Sequence, residues 1–187
     1  MNSMGTIILN TLHKEKHNMG KSSYDPNSEQ AKLGLAFQGE VFKKIQEYPG
    51  IFEAELTWDF FNRLDPGLED FDYACYEKEF GDITFLQEDG FGMRRRYWVE
   101  CCFILGEKST RFCEMKRLKF EGSNKWYAFG KLHDPKMATC FVPSKAWNAY
   151  VSHTPLREGF RVVQSHLIGE NIRAATMGEV SWLNSLK

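Results

Sequence analysis

Three acidic residues stand where the local pattern gives no reason for a charge. Asp82 opens a strand directly after Gly81, Glu100 interrupts the most apolar strand of the chain, and Glu40 sits at the edge of a helical apolar stripe. Two antiparallel strands joined through Glu88-Asp-Gly90 would set Asp82 and Glu100 side by side on one sheet face. Carboxylates that close repel each other and are ordinarily held by a cation. Oxygen ligands of this kind suit Mg²⁺ or Mn²⁺ rather than zinc. Each acid also has a plainer explanation. Asp82 can be a turn residue, Glu40 can lie on the wet flank of its helix, and Glu100 can pair with one of Arg94 to Arg96 across the hairpin. The three gain meaning from their order along the chain.

That order depends on the elements carrying them. Ser28 caps a predicted helix running to about Tyr48, with Leu33, Phe37, Val41 and Ile45 as its buried stripe and Pro49-Gly50 as its stop. Residues 51–58 alternate as a strand should, Asp65-Pro66-Gly67 is a turn signal, and 72–76 fits either a strand or a helix. Residues 81–86 and 96–105 read as strands. The near-continuous apolar character of the second places it at a sheet centre, where Glu100 is costly unless compensated. Residues 111–120 satisfy both helical and strand periodicity. Further strands are expected at 126–129, 138–142 and 160–163, a helix capped by Ser144 through Tyr150, and a final helix ending with Trp182.

Gly39-Glu40-Val-Phe-Lys-Lys, Gly81-Asp82-Ile-Thr-Phe and Trp98-Val-Glu100-Cys-Cys102 follow one another in a familiar sequence. Over about residues 29–145 the chain resembles the PD-(D/E)XK, or restriction-endonuclease-like, nucleases. Their core runs helix with Glu, strand, strand with Asp, strand with Glu-x-Lys, helix, strand. The resemblance implies an α/β fold with a central mixed β-sheet flanked by helices, and metal-dependent hydrolysis of DNA phosphodiester bonds of a phage or repair type. Asp82 and Glu100 would then hold one or two Mg²⁺ or Mn²⁺ ions, with Glu40 an outer ligand through water. One position departs from the pattern: Cys102 stands where the family has lysine. Either Lys116 supplies the cation from a helix behind the strand, or Glu114-Met-Lys116 is itself the Glu-x-Lys motif on a strand spanning Arg111 to Leu118. A third outcome is a degenerate member that binds DNA or a protein without cutting. The basic residues Arg94, Arg95, Arg96, Lys108, Arg111, Lys116, Arg117 and Lys119 become candidate phosphate contacts, and a homodimer is possible because many members act as dimers. Trp126 and Tyr127 can stack on bases, but aromatics at strand spacing more often belong to a core.

Composition bounds the rest. A chain of 187 residues with net charge −1 is the size of one domain and offers no global electrostatic case for nucleic acid, so any basic surface is local. We read residues 1–27 as a flexible lead-in and 28–187 as one α/β domain. The five cysteines include one adjacent pair and no C-x-x-C spacing, which argues against a disulfide framework or a structural zinc. Nothing sets a base beside a thiol near His133, Asp134 or Cys140, and no Gly-rich loop matches a phosphate-binding fingerprint. No stretch approaches a bilayer span, and the apolar run near the start precedes its charges, the wrong order for a secretory signal. The expected location is the cytoplasm. A viral structural or assembly protein, its acids salt-bridged for stability, is the remaining expectation from another class.

Overall fold

The computed structural model describes residues 28–88, 91–104, 109–131 and 140–164. The lead-in over 1–27, the turn residues 89 and 90, Lys108, His133 and Asp134, and the expected final helix lie outside the described residues. Five helices and two sheets are described. None of those helices is long and apolar enough to cross a membrane.

Helix α1 (Glu29–Gln46) begins where Ser28 accepts a hydrogen bond from the Ala31 N–H at 3.2 Å, as a cap should. Phe37, Val41 and Ile45 are its buried stripe. Each such side chain stabilises the fold by about 1.5–3 kcal/mol. Strand β1 (Ile51–Leu56) stops short of its expected end, and Thr57–Leu64 forms helix α2. The cause is tertiary. Thr57 is fully buried, its N–H is taken by the Asp82 carbonyl at 2.9 Å, and helical spacing carries Phe60 and Phe61 onto Trp98. Helix α3 (Asp70–Phe80) resolves the ambiguous segment 72–76.

Strands β2 (Ile83–Glu88) and β3 (Arg94–Ile104) form the expected antiparallel pair, with Ile83 opposite Val99 and Glu88 opposite Arg94. Strand β4 (Ser109–Cys113) and helix α4 (Glu114–Lys119) divide the segment that fitted both periods. Its first half is a strand and its second half a helix, so the reading of Arg111 to Leu118 as one strand is overturned. Strand β5 (Lys125–Lys131) runs parallel to β3, and β6 (Cys140–Pro143) antiparallel to β5. Helix α5 (Ser144–Ser152) lacks the expected cap. The Ser144 hydroxyl donates to the Gly122 carbonyl and accepts from its N–H, both at 3.1 Å. Strands β7 (Leu156–Arg157) and β8 (Phe160–Gln164) complete the described chain.

The main sheet has the order β1-β2-β3-β5-β6, which puts β3 at its centre as its apolar sequence required. A second sheet, β4-β8-β7, is antiparallel. Alternation along β3 sends Val99 into a core with Phe37, Val41, Ile45 and Ile83 beneath α1. Trp98 and Ile104 face the other way, into a core with Phe120, Phe129, Trp147 and Val163. Glu100 shares the parity of Trp98, so it faces the side covered by the other helices and the second sheet.

Candidate active site

Asp82 is placed by a backbone that only glycine adopts easily. Gly81, with φ 72° and ψ −158°, ends α3 and turns the chain into β2. A Cβ there would lie 2.7 Å from the Val99 carbonyl oxygen. The Asp82 N–H donates to that same oxygen at 2.8 Å, and its Oδ2 accepts the Cys101 N–H at 2.7 Å. Extending the β2–β3 register by one residue sets Asp82 opposite Glu100. Their juxtaposition follows from the hairpin.

Glu100 is 7% exposed, and its Oε1 lies 2.6 Å from Lys116 Nζ. Its Oε2 is buried without a hydrogen-bond partner. Lys116 also reaches Glu77 Oε1, on α3, at 3.2 Å. One ammonium therefore faces three carboxyl groups. Burial, and next the Asp82 charge, push the Glu100 carboxyl up to about 8 against the pull of Lys116. Burial likewise raises Asp82, opposed by Lys116 and the Cys101 N–H. Burial alone would lower Lys116, but the charges of Glu100, Asp82 and Glu77 outweigh it and hold the amine above the ordinary lysine value. The cluster has more carboxyls than its cation neutralises, which favours the protonated form of Glu100.

Lys116 is held there by clamps at both ends of α4. At the start, Glu114 donates its N–H to the Gly159 carbonyl at 2.9 Å, while its carboxylate accepts two hydrogen bonds each from Arg117 and Arg161. Those hydrogen bonds lower Glu114 to about 2. At the end, the buried Asn148 amide donates to the Arg117 and Phe120 carbonyls at 2.9 and 3.2 Å. Glu114 is thus a support for the lysine and takes no place beside Glu100.

Of the expected donor set, the structure brings together Asp82, Glu100 and Lys116 and adds Glu77. Glu77 was missed because α3 has almost no apolar periodicity to reveal a helix. Glu40 is on the exposed flank of α1, a helix that covers the opposite sheet face. Cys102 lines a cleft beside Glu100, and burial first, then the Glu100 charge, raises its thiol well above the usual value, so it is protonated. Mg²⁺ commonly takes one or two protein carboxylates and fills its shell with water and phosphate oxygens. Asp82 and Glu100 fit that donor set, and the unpartnered Glu100 Oε2 is an oxygen without another role. No group of three or more His, Cys, Asp or Glu side chains is disposed to hold a metal among the described residues.

Comparisons with protein-family models, curated proteins and solved structures find no match.

The expected phosphate contacts divide by placement. Arg117 is buried, with its guanidinium committed to Glu114 and the Asn148 carbonyl, so it presents nothing to a phosphate. Arg96 bonds Glu53 and Thr84 and lies over the Phe60 ring. Arg94 pairs with Glu88 at 3.0 Å. Arg95 and Arg111 are exposed, Arg111 standing 4.0 Å from Glu158, and Lys119 is half-buried in the last turn of α4. Trp126 and Tyr127 belong to the two cores and do not offer faces for bases.

Proposed function

We propose that this chain is a metal-dependent hydrolase of DNA phosphodiester bonds, a divergent relative of the PD-(D/E)XK nucleases. The observation that supports it is the charge imbalance around Lys116: Asp82, Glu100 and Glu77 converge on a single ammonium. A divalent cation would relieve that excess, which now favours the protonated form of Glu100. Asp82 and Glu100 are the residues that would hold it. Mg²⁺ or Mn²⁺ supplies neutralisation of phosphate charge and a bound water of lowered pKa. Lys116, freed from Glu100 but still paired with Glu77, donates to a phosphate oxygen or orients the attacking water. On this reading the family lysine has moved from the strand to a short helix, which accounts for Cys102. The outer-ligand role expected of Glu40 is dropped, since its helix lies on the far face of the sheet.

One observation favours a second reading, a nuclease-like domain that binds DNA or a protein without cutting. Lys116 already closes on Glu100 at 2.6 Å and neutralises part of the site. Titration with Mn²⁺, followed by cleavage of plasmid DNA in Mg²⁺, separates the readings. The hydrolase binds Mn²⁺, cuts, and loses both properties in Asp82→Ala. Absence of Mn²⁺ binding in the wild type overturns it. A purely structural or assembly role predicts neither metal binding nor any effect of Asp82→Ala on nucleic acid.

A further inference from the structure

A cleft of about 310 Å³ is lined by Glu100 and Lys116 and extends to the second sheet. This volume lies at the small end of the ~300–1,000 Å³ range of ligand sites. Its character changes away from the charged pair. Phe112 and Trp147 meet edge to face at 5.3 Å in its wall, and Phe160, a large apolar side chain left 38% exposed, belongs to the same lining. Thr110 also lines it, and its Oγ1 is buried without a hydrogen-bond partner. An orphaned buried polar atom is costly, and such an atom calls for a role. Lys116 brings a cationic group to this cleft.

A ligand answering all of these features has a flat aromatic body, a hydrogen-bonding edge and an attached anion. A nucleotide has all three. We infer that the cleft receives the base of one unpaired nucleotide, next to the phosphate that Lys116, and a cation held by Asp82 and Glu100, would engage. The inference rests on the hydrolase reading for the position of that phosphate. It names the substrate class as single-stranded or frayed DNA. A base inside an intact duplex would first have to leave its stack, whereas a single strand offers its bases for stacking directly.

The test uses the full chain in EDTA, where metal-dependent hydrolysis is off. Fluorescence anisotropy compares a labelled short single strand, a hairpin duplex of the same sequence and a strand of equal length built from abasic sites. The single strand should bind roughly tenfold more tightly than the abasic strand, the worth of one stacked base. Thr110→Val should weaken single-strand binding about fivefold, the worth of one hydrogen bond, and leave the abasic strand unchanged. Because the hydroxyl has no partner in the fold, that variant should unfold at the same denaturant midpoint as the wild type or higher. Phe160→Ala, at the exposed edge of the lining, should weaken single-strand binding in the same selective way. Equal affinity for normal and abasic strands, or an unchanged affinity in a folded Thr110→Val, overturns the inference. Mn²⁺ titration is read separately. Metal binding without base discrimination sinks the base cleft alone, and base discrimination without metal binding supports the cleft while sinking hydrolysis.

Discussion

Lys116 Nζ stands 2.6 Å from Glu100 Oε1, although the lysine belongs to a helix that follows a strand of the other sheet. Lys116→Met keeps the apolar stem and deletes the charge, leaving Glu77, Glu100 and Asp82 without their shared cation. Removing one side of a buried pair costs about 3–5 kcal/mol. Proton uptake by the remaining carboxyls limits the loss, and we expect about 2–3 kcal/mol in urea unfolding. Under the proposed mechanism cleavage falls by about 100-fold or more, while Mn²⁺ affinity is maintained or rises because a competing cation is gone. A variant as stable as the wild type would contradict this account of the cluster.

The pH dependence of stability carries a sign that can be checked. Glu100 has a folded value of about 8, above the ordinary carboxylate value of 4.5. Between those two values the folded chain binds more protons than the unfolded chain, so the contribution is present at low pH and is lost as pH rises through about 8. The charged groups acting on Glu100 are Asp82, Lys116 and Glu77, beside the Cys102 thiol and the Tyr127 hydroxyl. Glu100→Gln takes up no proton and should flatten the decline between about pH 5 and 8 in denaturant midpoints. An unaltered slope would assign the decline to other groups.

Two glycines should respond in opposite directions. At Gly81, alanine meets a positive φ, the Val99 carbonyl oxygen at 2.7 Å and the Phe120 ring at 2.9 Å. We expect a loss of about 2–4 kcal/mol and weaker Mn²⁺ binding, because Asp82 is the next residue. At Gly39, in the middle of α1, a Cβ meets nothing within 4 Å. Alanine there should raise stability by about 0.5–1 kcal/mol through helix propensity.

Asn148 acts at a distance from the chemistry. Its amide closes the carbonyls at the end of α4, and its Oδ1 accepts from the Tyr127 hydroxyl at 3.2 Å. Asn148→Ala leaves these buried groups unpaired and should cost about 2–4 kcal/mol. With α4 released, turnover should fall while Mn²⁺ affinity, which depends on β2 and β3, is retained. Equal losses in both would show that Asn148 supports the whole domain and not the lysine in particular.

Local pattern was sufficient wherever one periodicity dominated. Ser28 and the four-residue spacing of Phe37, Val41 and Ile45 define α1, the apolar run over 96–105 defines a central strand, and the pairing of β2 with β3 puts Asp82 opposite Glu100. Where two periods fitted equally, as over 111–120, the change from strand to helix at Glu114 depends on Gly159 and Arg161, residues far along the chain. Thr57 and Ser144 show the same limit, since distant backbone groups decide what their own polar atoms do. The amino-acid sequence by itself determined the α/β class and the facing pair of acids, because hydrophobic alternation and a short hairpin are local properties. Only the tertiary structure decided which cation meets them, that Glu77 joins them and that Glu40 does not. Those outcomes depend on which helix covers which sheet face, and long-range packing sets that.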